Sequence, residues 1–296
     1  MSVRDAASGI TTRVFPHRDN RVLEIATEPL ALPALRSAVP LLQEAVWDAC
    51  ADVGLAPGTH EVNRWSMHIN VSWPGLASGR DGDLLLRFLA DFNDHPELAL
   101  GGLGGDIRNA PPLAILGERP QQALRGVISE CASVGGVHDA YEVARLIRTH
   151  VLRERFVYGS RIHNDFYHAM HVCHVRRGAK LKRAYATASP VRIEIRASYM
   201  APSAAHMLSA VEIIAARLML LSREVGPISY RGAGIPDPPG GRTFRAAGIQ
   251  DGVTPERVAE CWMRYASESG IDVRLHAPYL VNPDVRQAAL RMMPHP

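Results

Sequence analysis

The sequence has few of the features that mark secreted and membrane proteins. Its four cysteines are Cys50, Cys131, Cys173 and Cys261. They lie far apart and form no Cys-x-x-Cys pair, which is typical of a reduced intracellular chain rather than of a disulfide framework. No apolar run approaches the roughly 18 residues of a membrane-spanning helix, and the N-terminal residues lack the apolar core of a secretory signal. We therefore expect a cytoplasmic protein with no membrane partner.

Neither positive nor negative charge is in large excess. The 33 Lys and Arg residues exceed the 30 Asp and Glu residues by three, and no long basic run occurs. The composition therefore does not call for a nucleic-acid partner, although a phosphorylated ligand is compatible with it. What the chain does have is length: 296 residues, 47% of them hydrophobic, are enough to form a full core.

The chain also lacks a recognisable phosphate-binding loop. Residues 98–106 contain four glycines, but their spacing matches neither a phosphate loop nor a dinucleotide fingerprint. This segment is predicted to be a flexible connection or lid. We expect residues 1–12 to be disordered, residues 13–229 to form the core, and residues 230–296 to be a Gly/Pro-rich loop followed by a helical appendage.

Residues 190–197 read as a strand with one charged face. Alternation along a strand places Arg192, Glu194 and Arg196 on one side. The opposite, core-facing side carries Val191, Ile193 and Ile195. A carboxylate between two guanidinium groups suits a site for a cation and phosphate, because the carboxylate is a hard oxygen ligand and arginine matches phosphate oxygens. The alternative is an exposed face held by salt bridges.

A second strand, over residues 64–73, has an equally clear polar face. That face carries Ser66, His68, Asn70 and Ser72. A row of imidazole, amide and hydroxyl groups is suited to a cleft that binds a metal and a nucleotide. The alternative is that His68 has a structural role.

Near the N-terminus, residues 12–16 and 21–26 are predicted to form a β-hairpin. In its second strand Glu24 shares a face with Val22 and Ala26, so that a single carboxylate stands on an otherwise apolar surface. The alternative is a glutamate facing solvent.

Apolar spacing predicts helices between these strands. They cover residues 35–54, 83–92, 120–132, 139–156, a long helix beginning near Ser203, and a last helix capped by Thr254.

Histidines are concentrated in residues 163–174. On a helix, His168, His171 and His174 would share one face, which would suit a zinc-dependent hydrolase. On a strand, His171 and Cys173 would share a face instead. No HExxH motif or Cys-x-x-Cys pair accompanies them.

The order of these elements resembles the catalytic core of the glutamine synthetase and glutamate–cysteine ligase superfamily. The resemblance consists of the strand and helix around Glu24, the segment Met-His-Ile-Asn-Val-Ser at 67–72, and Arg-Ile-Glu-Ile-Arg at 192–196 followed by Pro-Ser-Ala at 202–204. It covers residues 20–72 and 188–222. It implies an α+β fold in which helices pack on the outer face of a curved, largely antiparallel β-sheet.

The resemblance also implies an activity: ATP-dependent formation of an amide bond between a small carboxylic or amino acid and an amine, with Mg or Mn. Glu24, His68 and Glu194 would then be metal ligands. Arg192 and Arg196 would be catalytic residues facing phosphate or substrate carboxylate, and Asn70 and Ser72 would be near the nucleotide. Family members often form clefts between subunits, so a homo-oligomer is expected.

The sequence departs from the family at one metal position. A second metal-binding glutamate normally precedes the position of Glu24 by about eight residues, whereas this chain has Phe15 or Pro16 there, with His17 and Asp19 nearby. This departure favours an alternative, in which the protein keeps the fold but is an ATP-independent or non-catalytic member with an altered metal site.

Overall fold

The structure is a computed structural model, which describes residues 2–4, 11–19, 22–27, 30–54, 66–72, 81–104, 113, 118–134, 138–152, 156–158, 161–163, 170–174, 191–199, 201–232 and 254–294. Over these residues the chain is a mixed α+β protein, with short antiparallel strands and a larger number of helices. The α+β class expected from the sequence is therefore found, at this coarse level.

The described strands are β1 (Ser2–Arg4), β2 (Thr11–Asp19), β3 (Val22–Thr27), β4 (Ser66–Val71), β5 (Phe156–Tyr158), β6 (Arg161–His163), β7 (Met170–His174) and β8 (Val191–Tyr199). They form sheets of order β1-β2-β3, β4-β8-β7 and β5-β6, and every pairing is antiparallel.

The described α-helices are α1 (Leu32–Leu42), α2 (Ala49–Asp52), α3 (Gly82–Asp94), α4 (Glu118–Val134), α5 (Ala140–Leu146), α6 (Ala204–Leu221), α7 (Pro255–Glu268), α8 (Val273–His276) and α9 (Pro283–Met292). π-Helical segments at Gln43–Asp48, Leu98–Gly102 and Ile147–Val151, and a 3₁₀ turn at Ala277–Tyr279, extend or connect them.

The N-terminal hairpin is confirmed, and it is longer than predicted. Strands β2 and β3 pair from Val14 opposite Thr27 to Asp19 opposite Val22, so the connection between them is short. Residues 2–4, which we expected to be disordered, pair with β2 as its outer neighbour.

Polar N-caps fix where the helices begin. The Ser203 hydroxyl accepts a hydrogen bond from the backbone N–H of His206 at the start of α6, and the Thr254 hydroxyl accepts one from that of Arg257 at the start of α7. Each cap satisfies a backbone donor that has no partner within the helix. Both starting points agree with the sequence prediction.

One face of the β4-β8-β7 sheet lies against the helices. Ile69 of β4 and Val191, Ile193 and Ile195 of β8 are buried in the main hydrophobic cluster. The same cluster contains apolar side chains of α3, α4, α5, α6, α7 and α9. Because alternate residues of a strand point to opposite faces, this burial leaves the polar residues of β4 and β8 on the other face of the sheet.

The C-terminal helices belong to this same core. Trp262 and Tyr265 of α7 and Val285 of α9 are almost completely buried within it. The division predicted at residue 230 therefore does not follow the packing, because α7 and α9 share their core with α3, α6 and β8 rather than forming a separate appendage.

The glycine-rich segment near residue 98 also packs inside. Leu98–Gly102 is a buried π-helical turn rather than a lid, and a Cβ on Gly101 would lie 3.0 Å from Val285 Cγ1. A Cβ on Gly102 would lie 3.3 Å from Trp262 Nε1. Glycine is required here by the close approach of α7 and α9, so the expectation of a lid was wrong.

The expectation that no apolar stretch approaches the length of a membrane-spanning helix was wrong: among the described residues, the 18-residue helix α6 is the one helix long and apolar enough to cross a membrane. A core helix of a soluble protein has the same length and composition, and Ile213, Ile214 and Leu218 of α6 are buried in the main cluster.

Candidate active site

The candidate site lies on the face of β4 and β8 that points away from the core. His68, Asn70 and Ser72 are exposed, whereas Glu194 and Arg196 are partly buried. The register places Asn70 directly opposite Glu194, between the apolar pairs Ile69–Ile195 and Val71–Ile193. The alternation predicted for both strands is therefore present, and pairing brings their two polar faces together.

An irregularity in the ladder positions His68. Met67 pairs with Ser198 and Ile69 pairs with Ile195, so Arg196 and Ala197 of β8 are together opposite the single residue His68. Two residues facing one is the count of a β-bulge, which bends a strand and redirects a side chain. The bulge accompanies a diagonal contact of His68 with Glu194 rather than with a directly opposite partner.

The carboxylate of Glu194 is held from two sides. Arg196 donates a hydrogen bond from Nη1 to Glu194 Oε1 at 2.7 Å, and His68 Nδ1 lies 3.3 Å from the same oxygen. The Glu194 side chain is 12% exposed, whereas that of His68 is 34% exposed. The result is a cluster of one carboxylate, one imidazole and one guanidinium, in which His68 is the most exposed side chain.

Two other predicted residues border this cluster. Ser72 follows the last residue of β4 and is exposed, and Arg192 is partly buried on β8, where its backbone pairs with Cys173 of β7. Both lie on the same pair of neighbouring strands as Glu194. Asn70 is opposite Glu194 in the register, and Arg192 and Arg196 are two residues before and after it on β8.

Glu24 lies in the other three-stranded sheet. Its backbone pairs with that of His17 across β2 and β3, and its side chain lies outside the described part of the structure. The described side chains that come together are therefore those of His68, Glu194 and Arg196, and the role of Glu24 as a third ligand stays a prediction. The register does make His17, a proposed substitute for the missing family glutamate, the neighbour of Glu24.

Comparison with known proteins gives no match, either to a protein-family model, to a curated protein or to a solved structure. The interpretation of this site therefore depends on its own chemistry and on the sequence resemblance described above.

The described residues supply two possible cation ligands at this site. No group of three His, Cys, Asp or Glu side chains able to hold a metal occurs among them. A carboxylate and an imidazole do not make a closed protein cage. They do suit a cation that keeps several waters and is also held by substrate phosphates, which is the usual situation of Mg²⁺.

The histidine-rich segment is a strand where it is described. Residues 170–174 form β7, in which His171 pairs with Glu194 and His174 pairs with Val191. The helix considered for a zinc hydrolase is therefore not found over residues 170–174. His168 lies outside the described residues.

A second polar cluster, in the helical part, was not predicted. Asp91 of α3 accepts hydrogen bonds from Arg217 Nε of α6 at 3.0 and 2.9 Å and from the Tyr265 hydroxyl of α7 at 2.9 Å. The guanidinium of Arg217 also lies over the Tyr265 ring, 4.6 Å from its centroid. Asp91 and Arg217 are each less than a tenth exposed.

The burial and contacts of this cluster shift the pKa values of Tyr265 and Arg217. Burial and the neighbouring Asp91 carboxylate raise the pKa of Tyr265 well above its ordinary value, and the hydrogen bond to Asp91 keeps the pKa of Arg217 above its ordinary value in spite of burial. The sequence does contain a signal for this cluster: Arg217 is the one charged residue in positions 213–221 of α6, and a charge on the buried side of a core helix needs a partner.

Proposed function

We propose that the protein is an ATP- and Mg- or Mn-dependent carboxylate–amine ligase that joins a small carboxylic or amino acid to an amine. The observation that carries the proposal is the cluster of His68, Glu194 and Arg196 on the open face of β4 and β8. A hard carboxylate ligand beside a guanidinium group is what a site for a phosphate-bound cation requires.

The reaction explains why such a site needs both groups. A carboxylate does not react with an amine because its leaving group would be oxide. Transfer of the γ-phosphoryl group of ATP to a carboxylate oxygen forms an acyl phosphate and ADP. The amine nitrogen then attacks the acyl carbon, the C–O bond to phosphate breaks, and loss of a proton from nitrogen leaves the amide. The protein's contribution is to position the reactants and neutralise charge.

Each residue then has a defined task. Arg196 and Arg192 donate hydrogen bonds to phosphate or carboxylate oxygens, a role in which the bidentate fork of arginine is effective. Asn70 and Ser72 offer amide and hydroxyl groups to the nucleotide. Glu194 and His68, with Glu24, would hold the divalent cation, which when bound neutralises the phosphate oxygens.

The sheet geometry supports the coarser part of the proposal. Strands β4, β8 and β7 are antiparallel, with helices on one face and the polar cluster on the other, as expected for a glutamine synthetase-like core. A cytoplasmic location, homo-oligomeric assembly and the absence of nucleic acid as a partner are parts of the same proposal.

A second candidate keeps the fold without ligation. It is favoured by one observation: the described residues supply two possible cation ligands here, and one of them, Glu194, already accepts a hydrogen bond from Arg196. In this candidate the three side chains form a structural or ligand-binding ion-pair cluster, and ATP is not consumed.

Nucleotide release separates the two candidates. We expect the protein with ATP, Mg²⁺ and a panel of amino acids and amines to release ADP and phosphate in a substrate-dependent way. The variant Glu194→Gln should lower this rate at least 100-fold, because it removes a charge from the cation site. The matched control Glu260→Gln removes an exposed carboxylate that pairs only locally with Arg257, and it should retain full activity.

Titration calorimetry with ATP and Mg²⁺ completes the test. Binding and turnover by the wild-type protein, both lost in Glu194→Gln, would support the ligase. If the folded wild-type protein neither binds nor consumes nucleotide, the ligase proposal fails and the second candidate is favoured.

A further inference from the structure

A cavity of about 350 Å³ lies in the helical part of the molecule, between α3, the end of α6 and residues 224–231. Three guanidinium groups line it, from Arg87, Arg217 and Arg231, together with His95. Its acidic lining residues are Asp91, Asp94 and Glu224. The volume lies within the range of small-molecule sites.

The two most buried carboxylates of the cavity already have protein donors. Both oxygens of Asp91 accept from Arg217, and one also accepts from Tyr265. The oxygens of Asp94 accept backbone N–H groups, from Arg231 at 2.8 Å and from Gly232 at 2.6 Å. These carboxylates therefore have little capacity left to bind a cationic ligand.

The cationic groups, in contrast, have donors to spare. A guanidinium has five N–H bonds. Within the described residues, Arg87 uses one of them, in a hydrogen bond to the carbonyl oxygen of Gly226, and its Nη1 is 3.8 Å from Glu224, beyond hydrogen-bond length. The side chain of Arg231 makes no hydrogen bond there, and its Nε is 3.7 Å from Asp94.

Arg87 has donors that a ligand can reach. Its side chain is 12% exposed as a whole, but none of its nitrogens is among the fully buried atoms without a hydrogen-bond partner, so its remaining N–H groups are accessible to water or to a ligand in the cavity. Within the described part of the chain, Arg87 and Arg231 therefore keep free donors, whereas the two buried carboxylates, Asp91 and Asp94, are already hydrogen-bonded. The third lining carboxylate, Glu224, is 48% exposed and lies 3.8 Å from Arg87 Nη1.

The segment around Arg231, which lines the cavity opposite α3, is held in place by contacts within the protein before any ligand binds. Gly232 has a φ of +62°, a conformation that favours glycine, and its backbone N–H points to Asp94. Arg125 of α4 donates to the carbonyl oxygen of Arg231 at 2.8 Å and lies over the Tyr230 ring. A preformed wall lowers the entropy lost on binding.

We infer that this cavity is a binding site for a small oxyanion, a molecule carrying a carboxylate or a phosphate group, with Arg87 and Arg231 as its principal ligands. His95 also lines the cavity but is not one of these ligands, because its Nδ1 lies 2.8 Å from Glu97 Oε1 and its Nε2 lies 3.8 Å from Asp91 Oδ1. The site is separate from the Glu194 cluster and does not depend on the proposed ligase activity.

The test is titration calorimetry of the full chain with inorganic phosphate and, separately, with glutamate, at an ionic strength held constant with sodium chloride. We expect saturable binding of at least one of the two. Binding of phosphate alone or of glutamate alone supports the site and identifies the group it prefers. Saturable binding of neither would overturn the inference.

Three variants locate the binding. Arg87→Gln should weaken it about tenfold or more, since a charge-assisted hydrogen bond is removed, and Arg231→Gln about threefold. The control Arg223→Gln removes an exposed arginine of the same segment that does not line the cavity. It should bind like the wild type.

Arg231 is 58% exposed, so its variant tests the site even if Arg87→Gln fails to fold. Unchanged affinity in Arg231→Gln and in folded Arg87→Gln would also overturn the inference. Binding that persists in Glu194→Gln would show that the cavity is independent of the candidate active site, and binding lost in that variant would contradict the inference.

Discussion

Glu194 owes its position to two properties of the chain. The alternation of residues 191–196 determines which face of the strand it occupies, and this was readable from the sequence. The partners it meets, His68 from a strand more than a hundred residues earlier and Arg196 two residues on, depend on the register and bulge of β4 with β8. Sequence alternation predicts a face, whereas strand pairing decides which faces meet.

Asp91 and Arg217, unlike Glu194, form a contact that the sequence analysis did not predict. Their bidentate pair links α3 to α6, and both side chains are buried. Taking two charges out of water is unfavourable, so such a pair contributes little net stability, but the loss of one partner leaves a buried charge without compensation.

The variant Arg217→Met should therefore lower the free energy of unfolding by about 3–5 kcal/mol, as measured by urea denaturation followed by circular dichroism. The double variant Asp91→Leu/Arg217→Met should recover most of that loss. In the control Arg145→Met, which breaks the exposed pair with Glu142, a change below about 1 kcal/mol is expected. A loss in Arg217→Met no larger than in this control would contradict the interpretation.

At the scale of elements, a contact between Arg286 of α9 and His206 of α6 requires the histidine to be neutral. Arg286 Nη1 lies 2.9 Å from His206 Nε2, and because arginine has no acceptor, Nε2 has to be the unprotonated nitrogen. The other nitrogen, Nδ1, then donates to the Ser203 hydroxyl at 2.8 Å. This assignment makes Ser203 a helix cap rather than a nucleophile, since His206 is not placed to accept its proton.

Burial, and then the charge of Arg286, lower the pKa of His206 from 6.5 to about 4. The unfolded chain therefore binds a proton at this histidine more readily than the folded chain does. The contribution of His206 to the free energy of unfolding is complete above pH 6.5 and is lost as the pH falls through about 4. Because His206 is only partly buried, so that solvent screens part of this shift, we expect an effect on the order of 1 kcal/mol.

Urea midpoints measured from pH 7 to pH 4.5 test this prediction. The variant His206→Gln should show a smaller loss of stability across that range than the wild type, and His150→Gln, at an exposed position, should follow the wild type. Part of the slope should persist in both, since burial also lowers the pKa of His276, which contacts Ser209. Identical slopes in His206→Gln and wild type would show that His206 is not the acid-sensitive group.

At the scale of the whole molecule, one hydrophobic cluster joins the sheet to helices that precede β8 and helices that follow it. Phe88 and Leu89 of α3, Ile193 and Ile195 of β8, and Trp262 of α7 all belong to it. Truncation of the chain before α7 would expose the faces that α7 and α9 cover. We therefore expect the C-terminal helices to be needed for folding of the core that carries Glu194.

The substitution Trp262→Ala tests this at a single position. Trp262 is fully buried, so the variant should lose about 3–5 kcal/mol of unfolding free energy and unfold in one transition. An exposed control, Leu275→Ala at 66% exposure, should change stability by less than about 0.5 kcal/mol. If Trp262→Ala unfolded the C-terminal helices separately while the rest of the chain stayed folded, the shared core would be refuted.

The sequence by itself determined the local elements and the faces of β4 and β8, because alternation, helical spacing and cap residues such as Ser203 and Thr254 act over a few neighbouring positions. Only the tertiary structure decided that His68 meets Glu194, that Glu24 lies in another sheet, and that Leu98–Gly102 is inside rather than a lid. It also decided that Arg217 finds Asp91. Contacts between distant segments depend on the register and packing of the whole core, which no short stretch of sequence contains.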